Sequence, residues 1–131
     1  MRNLLLKAAA ALLALAASTL ALAQADWPGR QITIVVGFSP GGSTDFVARI
    51  MADEFRKAWG QTVVVENKPG AGGNIGANMV AKAKPDGYTL LMGSVGPLAI
   101  NATLYANMPY DNIKDFQPVS QVVGAPHMLV V

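Results

Sequence analysis

The sequence predicts an α/β fold, a mostly parallel sheet with flanking helices. Short runs rich in β-branched residues alternate with segments of helical periodicity, an order typical of parallel sheets covered by helices. Each of the first three runs is followed by a glycine-containing loop. Because loops at the carboxyl ends of parallel strands share one edge of a sheet, we expect the three loops to lie close together.

The first unit begins at residues 31–36, QITIVV, which form a short, apolar, β-branched strand. The loop GFSPGGSTDF follows, and then an amphipathic helix of about four turns. Ser43 or Thr44 is predicted to cap this helix, Asp45 to lie in its first turn and Gly60 to end it. Its predicted apolar face consists of Val47, Ile50, Met51, Phe55 and Ala58.

The second and third units repeat this order. Residues 62–66 form the second predicted strand, and the glycine-rich loop NKPGAGGN leads into a short helix that ends before the turn KPDG. Residues 88–92 form the third strand, and the loop GSVGP precedes a short helix over residues 98–105.

The last part of the chain is predicted to be less regular. Residues 107–116 have no periodicity, residues 118–123 are predicted to form a fourth strand, and residues 128–131 begin a fifth. The chain ends inside an apolar run, so we expect residues 26–131 to be a truncated part of a larger fold.

Residues 1–25 have the features of a cleavable signal peptide. Arg2 and Lys7 precede an uncharged run rich in alanine and leucine, and cleavage is predicted after Ala23 or Ala25. The uncharged run of 16 residues is shorter than the ~20 apolar residues of a membrane-spanning helix. We therefore expect export to the periplasm.

Charge and composition exclude several classes of site. Without Arg2 and Lys7, eight of the ten basic residues remain against eight acidic ones. The exported part is therefore nearly neutral, and its charge gives no support for nucleic-acid binding, which needs a clustered basic face. There is no cysteine and only one histidine, His127, so we predict no metal site and no cofactor.

The three loops are suited to binding an anion. Each leads towards the beginning of a helix, where free N–H groups and the helix dipole favour negative charge. The phosphate-loop pattern is missing, GAGGNIG misses the dinucleotide-binding spacing by one residue, and GSVG lacks the nucleophile-elbow spacing. Simple turns remain an alternative for each loop taken alone.

Three strings in this sequence resemble a known family. ITIVVGFSPGGSTDFVARIMADEF, GQTVVVENKPGAGGNIGANMVAKAKPDGYTLLMGS and NMPYDNIKDFQPVSQV are similar to the tripartite tricarboxylate transporter substrate-binding proteins, the Bug family of extracytoplasmic solute receptors. The similarity covers residues 27–131, and its motifs occur in order at the family's spacing.

The resemblance implies a non-enzymatic periplasmic receptor with two lobes that close on a small carboxylate, and residues 26–131 would be its first lobe. The ligand would be a di- or tricarboxylate, an amino acid or an aromatic acid, delivered to integral membrane permease subunits. The implied binding residues of the first loop are Phe38, Ser39, Gly41, Gly42, Ser43, Thr44 and Asp45. The implied neighbouring walls contain Ala71, Gly72, Gly73, Asn74 and Ser94.

Two other functions remain open from the residues alone. One is an exported α/β hydrolase or transferase, although no nucleophile, base and orienting group can be assembled around His127. The other is a sensory domain that presents a ligand to a membrane partner. Turnover of an ester or phosphate would favour the first, and ligand-dependent binding to a kinase ectodomain would favour the second.

Overall fold

The computed structural model describes residues 27–124 and contains three parallel strands connected through helices. The strands are β1 (Ile32–Val36), β2 (Val63–Asn67) and β3 (Thr89–Met92). Their order in the sheet is β2-β1-β3, and both pairings are parallel. The predicted α/β class is therefore confirmed, and each strand lies within one residue of its predicted position.

β1 is the central strand. It pairs with β2 from Ile32 opposite Val63 onwards and with β3 from Thr33 opposite Thr89 onwards. Four of its five residues are buried, because a strand with neighbours on both edges and helices on its faces has little contact with water.

Helix α1 (Ser43–Trp59) packs on the sheet through small side chains. Ala48 and Ala52 are fully buried and belong to the same apolar cluster as the β1 side chains Ile32 and Ile34. Residues four apart share one face of a helix, and alanine allows the helix backbone to approach the strands closely.

The apolar face predicted for α1 is partly wrong. Phe55 packs against the core as predicted, whereas Ile50 is 46% exposed. The stripe that faces the sheet runs instead through Ala48, Ala52, Phe55 and Trp59. Hydrophobicity alone ranks isoleucine above alanine, but the small distance between helix and sheet selects the smaller side chain.

Helix α2 (Asn74–Ala81) reaches the end of β1 through two glycines. A Cβ atom on Gly76 would lie 2.9 Å from Gly37 Cα, and one on Gly37 would lie 2.8 Å from the carbonyl oxygen of Gly73. Only glycine permits such a close approach of two backbones. The second glycine-rich loop is thereby held against the first.

The third unit has a different helical geometry. A π-helical turn, Gly96–Ile100, continues into the short helix α3 (Asn101–Leu104). Pro97 lies at the beginning of the turn. An N–H group at this position has no acceptor within the helix, so proline, which lacks one, costs no hydrogen bond. The predicted helix at residues 98–105 is confirmed, and its helical segment begins two residues earlier.

An aromatic cluster closes the end of the sheet opposite the glycine-containing loops. Trp27 packs edge-on against Trp59 with ring centroids 5.1 Å apart, and Phe55 stacks on Trp59 at 4.3 Å. Tyr88, next to β3, lies 6.1 Å from Trp27 and carries the Arg30 guanidinium over its ring. Packed aromatic side chains stabilise this end of the fold.

The predicted fourth strand is wrong. Residues 118–123 are exposed and pair with none of the three strands among the described residues. Their apolar, β-branched composition favours a strand, but a strand also requires a neighbour for its backbone hydrogen bonds, and Pro118 supplies no N–H group. The predicted fifth strand at residues 128–131 and the predicted signal peptide lie outside the described residues.

The helices described between residues 27 and 124 all fall short of the length and hydropathy that a membrane-spanning segment requires.

Candidate functional site

The three glycine-containing loops meet at the carboxyl edge of the sheet, as predicted. An open cleft of about 260 Å³ lies there, lined by Phe38, Gly42, Ser43, Thr44 and Ser94. The first four residues follow β1 and the last follows β3. The cleft therefore joins the first and third loops, and five of the twelve predicted site residues line it.

The N-terminus of α1 forms the polar wall of this cleft. Gly42 is the N-cap residue, and no side chain forms a capping hydrogen bond there, so the predicted caps Ser43 and Thr44 are wrong. Phe46 N–H donates to Gly42 O at 2.9 Å as the first hydrogen bond of the helix. The preceding N–H groups have no acceptor within the helix, and they lie at the positive end of its dipole.

The two adjacent glycines of the first loop serve different purposes. Gly41 has φ +88°, a left-handed conformation that favours glycine. Gly42 has φ −77° and ψ 168°, which any residue adopts, and a Cβ there would meet only Ser39 O at 3.8 Å. Gly41 is thus needed for the turn, whereas Gly42 keeps the cleft open beside the helix N-terminus.

Asp45 lies beneath the first loop with a side chain that is only 4% exposed. Its Oδ2 accepts from Gly41 N–H at 2.9 Å and from Arg49 Nε at 3.0 Å. Its Oδ1 accepts from Arg49 Nη2 and from Asn67 Nδ2, both at 2.9 Å. The hydrogen bonds from Arg49, Gly41 and Asn67 hold the pKa of Asp45 far below its usual value.

The cleft is lined by hydroxyl groups, backbone amides and one aromatic ring, without a cationic side chain among its described residues. The Asp45 charge close to it is compensated by the paired guanidinium of Arg49, whose pKa this carboxylate raises. The unpaired N–H groups at the start of α1 are therefore the main source of positive potential at the cleft.

The second loop supports the first from behind. Ala71, Gly72 and Gly73 form a 3₁₀ turn in which all three residues have positive φ. A Cβ on Gly73 would lie 3.2 Å from Phe38 Cζ and 3.1 Å from Pro97 Cγ. Gly73 thus allows the Phe38 ring to pack between the loops.

Asn74 faces the interior of the protein and not the 260 Å³ cleft. Its Oδ1 accepts from Asn101 Nδ2 at 2.6 Å and from the Tyr110 hydroxyl at 3.0 Å. Asn101 Nδ2 also donates to Gly72 O at 3.1 Å. The Tyr110 hydroxyl lies 2.7 Å from Pro97 O, so its single proton is shared between Pro97 O and Asn74 Oδ1. This buried network fixes the second loop to α3 and to the segment that follows it.

A second cleft of about 300 Å³ lies on the outer side of the second loop. Its lining consists of Ala71, Asn74, Ile75, Asn78, Tyr105, Asn107 and Pro109. Two of the predicted site residues, Ala71 and Asn74, therefore border a different cavity from the other loops. Ser39 is exposed on the first turn, and Gly72 and Gly73 belong to the packed second loop.

The sequence analysis missed Arg49, Asn67, Asn101 and Tyr110. The sequence contains a signal for two of them. Arg49 follows Asp45 by four residues on a predicted helix, a spacing that favours an ion pair. Asn67 ends a strand at the edge where the loops lie. No comparable signal marks Asn101 and Tyr110, which join the second loop across 27 to 36 residues of sequence.

Comparison with known proteins gives one consistent family. The family model described as "Tripartite tricarboxylate transporter family receptor" matches residues 47–131. The chain is 47% identical over 105 residues to protein BugT of Bordetella pertussis, covering 79% of this chain and 32% of BugT. It is 43% identical over 117 residues to a UPF0065 protein of Bordetella bronchiseptica, covering 89% of this chain and 35% of that protein.

Three solved structures share this fold. One is a periplasmic transporter with TM-score 0.70 and 49% identity, covering 72% of this chain and 32% of that one. MatC of Rhodopseudomonas palustris with bound malate gives TM-score 0.68 and 44% identity, and the match covers 71% of this chain and 32% of MatC. Rpa4515 of R. palustris with adipate gives TM-score 0.65 and 46% identity, and the match covers 66% of this chain and 29% of Rpa4515. The chain spans about a third of the length of the proteins it matches.

Proposed function

Since the chain belongs to the tripartite tricarboxylate transporter receptor family, we propose that it supplies one lobe of a periplasmic receptor that captures a small carboxylate. The observation that carries this proposal is the uncapped N-terminus of α1 in the wall of an open cleft. Backbone N–H groups at a helix N-terminus bind an anion without a counter-charge from a side chain.

The similar structures support a dicarboxylate as the ligand. MatC holds malate and Rpa4515 holds adipate, and both molecules carry two carboxylate groups. We propose that one carboxylate of the ligand occupies the cleft beside Gly42 and that the rest of the molecule extends away from the sheet. Backbone amides recognise a carboxylate whatever it is attached to, so this lobe leaves the choice among dicarboxylates to other contacts.

The residues of the first loop then have distinct tasks. The main-chain N–H groups of Ser43 and Thr44 donate to the carboxylate, and their hydroxyl groups and that of Ser94 add donors at the rim. Phe38 supplies an apolar wall for the carbon chain of the ligand. Gly41 provides the left-handed turn that places these groups.

The second loop has a supporting task in this proposal. Gly72 and Gly73 hold the wall behind Phe38, and Ala71 and Asn74 lie on the side of the second cleft. We propose that these residues shape the site and that ligand contacts from them are secondary to those of the first loop.

The proposed receptor binds its ligand and releases it unchanged. Members of this family are solute-binding receptors, and we propose that this protein delivers its carboxylate to integral membrane permease subunits after export through a signal peptide at residues 1–25. Hydrolysis of an ester or phosphate by the purified protein is the result that would move it to the hydrolase class.

A thermal-shift screen tests the proposed function. The receptor, prepared at the full length of its relatives, is screened against malate, adipate, citrate, glutamate and benzoate. A ligand at 100 times its dissociation constant adds about 2.7 kcal/mol to the free energy of unfolding, which raises Tm by several degrees. A dicarboxylate is expected to give the largest shift, and a set without any shift would contradict the proposal.

A further inference from the structure

We infer that Asp45, Arg49 and Asn67 form a positioning cluster that fixes the backbone of the first loop, and that Asp45 affects the ligand only through that loop. This inference rests on the proposed function, because it assigns a role within the same site. It differs from the expectation of the sequence analysis, in which Asp45 was a residue that contacts the ligand.

The three side chains form a closed set of hydrogen bonds. Arg49 donates to Asp45 through Nε and Nη2, and its Nη2 also donates to Asn67 Oδ1 at 3.2 Å. Asn67 donates to Asp45 Oδ1 at 2.9 Å. Each member therefore contacts both of the others, so that no single rotamer can change without breaking two contacts.

The cluster holds the loop at two points. Asp45 Oδ2 accepts from Gly41 N–H at 2.9 Å, and Asn67 Nδ2 donates to Phe38 O at 3.0 Å. These two backbone positions enclose the turn between β1 and α1. The loop is thus tied to the end of β2 through Asn67 and to the first turns of α1 through Asp45 and Arg49.

Direct binding of the ligand by the Asp45 side chain does not fit this geometry. An ionised carboxylate has about four acceptor positions, and donors from Gly41, Arg49 and Asn67 occupy four of them. The side chain is 4% exposed, and its charge has the same sign as the proposed ligand. A fixed loop, in contrast, lowers the cost of ordering the binding groups when the ligand arrives.

The chemistry of the four contacts explains why a carboxylate is needed. Every partner of Asp45 is a donor, two on each oxygen. An asparagine in its place presents an NH₂ group to one of these pairs of donors, whichever way the amide is turned. The substitution Asp45→Asn therefore breaks the cluster with almost no change in side-chain volume.

The first test needs no ligand. Amide hydrogen exchange of Gly41 is followed by NMR in the chain and in Asp45→Asn. We expect exchange at Gly41 to accelerate about tenfold or more in the variant, while exchange at Ile34 in the central strand remains that of the folded protein. Unchanged protection of Gly41 in the folded variant would overturn the inference.

The second test measures the affinity of the receptor for malate and adipate. The receptor is prepared at the full length of its relatives, and each variant is measured at a temperature at which it is folded. Asp45→Asn and Asn67→Ala are expected to weaken binding about tenfold or more. Asn67→Ala removes the contact to Phe38 O and leaves the Gly41 contact to Asp45, so it serves if Asp45→Asn folds poorly.

Two control variants separate positioning from general destabilisation. Asp53→Asn removes the exposed ion pair with Arg56 on the same helix, and Val63→Ala destabilises the buried core away from the loop. Both should bind the probes as the unchanged protein does. Equal affinity of folded Asp45→Asn and the unchanged receptor would overturn the inference. A receptor that binds neither probe would contradict the proposed dicarboxylate ligand and leave hydrogen exchange as the deciding measurement.

Discussion

At the scale of single residues, the two adjacent glycines of the first loop are required for different reasons. Gly41 has φ +88° and Gly42 has φ −77°. A substitution at Gly41 strains the backbone, whereas one at Gly42 places a side chain in the cleft without strain. The pair GG in the sequence does not distinguish these two requirements.

Gly42→Asp is predicted to separate stability from binding. Aspartate is a preferred N-cap residue, so the free energy of unfolding should stay equal or rise by roughly a few tenths of a kcal/mol. Tm should accordingly be equal or slightly higher. The new carboxylate occupies the N–H groups of α1 and repels an anionic ligand, at about 1–4 kcal/mol for charges about 4 Å apart. Calorimetry with malate or adipate on the longer receptor should show a loss of affinity.

Gly42→Asn is the matched control, because asparagine caps a helix equally well without a charge. It should weaken binding less than aspartate does. Undiminished affinity in both variants would contradict the assignment of the ligand to the helix N-terminus.

Asp45 is predicted to make stability depend on pH in the acid range. The hydrogen bonds from Arg49, Gly41 and Asn67 lower the pKa of Asp45 in the folded protein. Its stabilising contribution is therefore complete well above the unfolded value of ~3.9 and disappears as the pH falls towards the lower folded value. The difference in Tm between the unchanged chain and Asp45→Asn should be largest near neutral pH and should shrink below about pH 4. Thermal unfolding between acid and neutral pH checks this, and a difference that grows on acidification would contradict it.

At the scale of secondary-structure elements, the contact between α2 and the end of β1 depends on glycine. Gly76 and Gly37 approach so closely that a Cβ on the former would lie 2.9 Å from the backbone of the latter. Backbone atoms cannot move aside as a flexible side chain does. The position of the second loop relative to the first is therefore set by the size of one residue.

Gly76→Ala is accordingly predicted to destabilise the fold by up to about 2 kcal/mol. Overpacking costs about 1–3 kcal/mol, and the gain of up to about 1 kcal/mol that alanine brings in a helix offsets part of that cost. Gly96→Ala is the control, since its Cβ would meet nothing nearer than 3.6 Å. Urea unfolding of both variants measures the difference, and equal stabilities would contradict the close contact.

At the scale of the whole molecule, the cleft is open, and within residues 27–124 it is lined by the first and third loops. Three or four charge-assisted hydrogen bonds contribute about 1.5–3 kcal/mol each, whereas immobilising a ligand costs an estimated 4–15 kcal/mol. Micromolar affinity needs about 8 kcal/mol net. We therefore predict that the 131-residue chain binds malate or adipate only weakly, and that contacts from a further lobe account for tight binding.

Calorimetry on the 131-residue chain and on the receptor at the length of its relatives checks this prediction. Malate and adipate are titrated into both proteins under the same conditions. Low-micromolar binding to the short chain would contradict the two-lobed view of the site.

The fold class was predictable because its signals are local. β1 and β2 are β-branched runs between glycine and proline residues, and α1 has an acidic first turn and ends at Gly60 in a left-handed conformation. The first loop was also identified correctly as the beginning of a helix at the carboxyl edge of the sheet. These features depend on neighbours within a few positions, so periodicity and turn composition reveal them.

The sequence by itself determined the order of strands and helices, the position of the three loops and the family of the chain. Only the tertiary structure decided that Ala48 and Ala52 face the sheet, that residues 118–123 remain unpaired, and that Asp45 and Asn74 turn into hydrogen-bond networks. The physical reason is that these outcomes depend on partners 22 to 36 residues away, or on the space between two packed elements. Such distances and volumes are set when the whole fold assembles, and a local pattern indicates only single contacts such as that of Arg49 with Asp45.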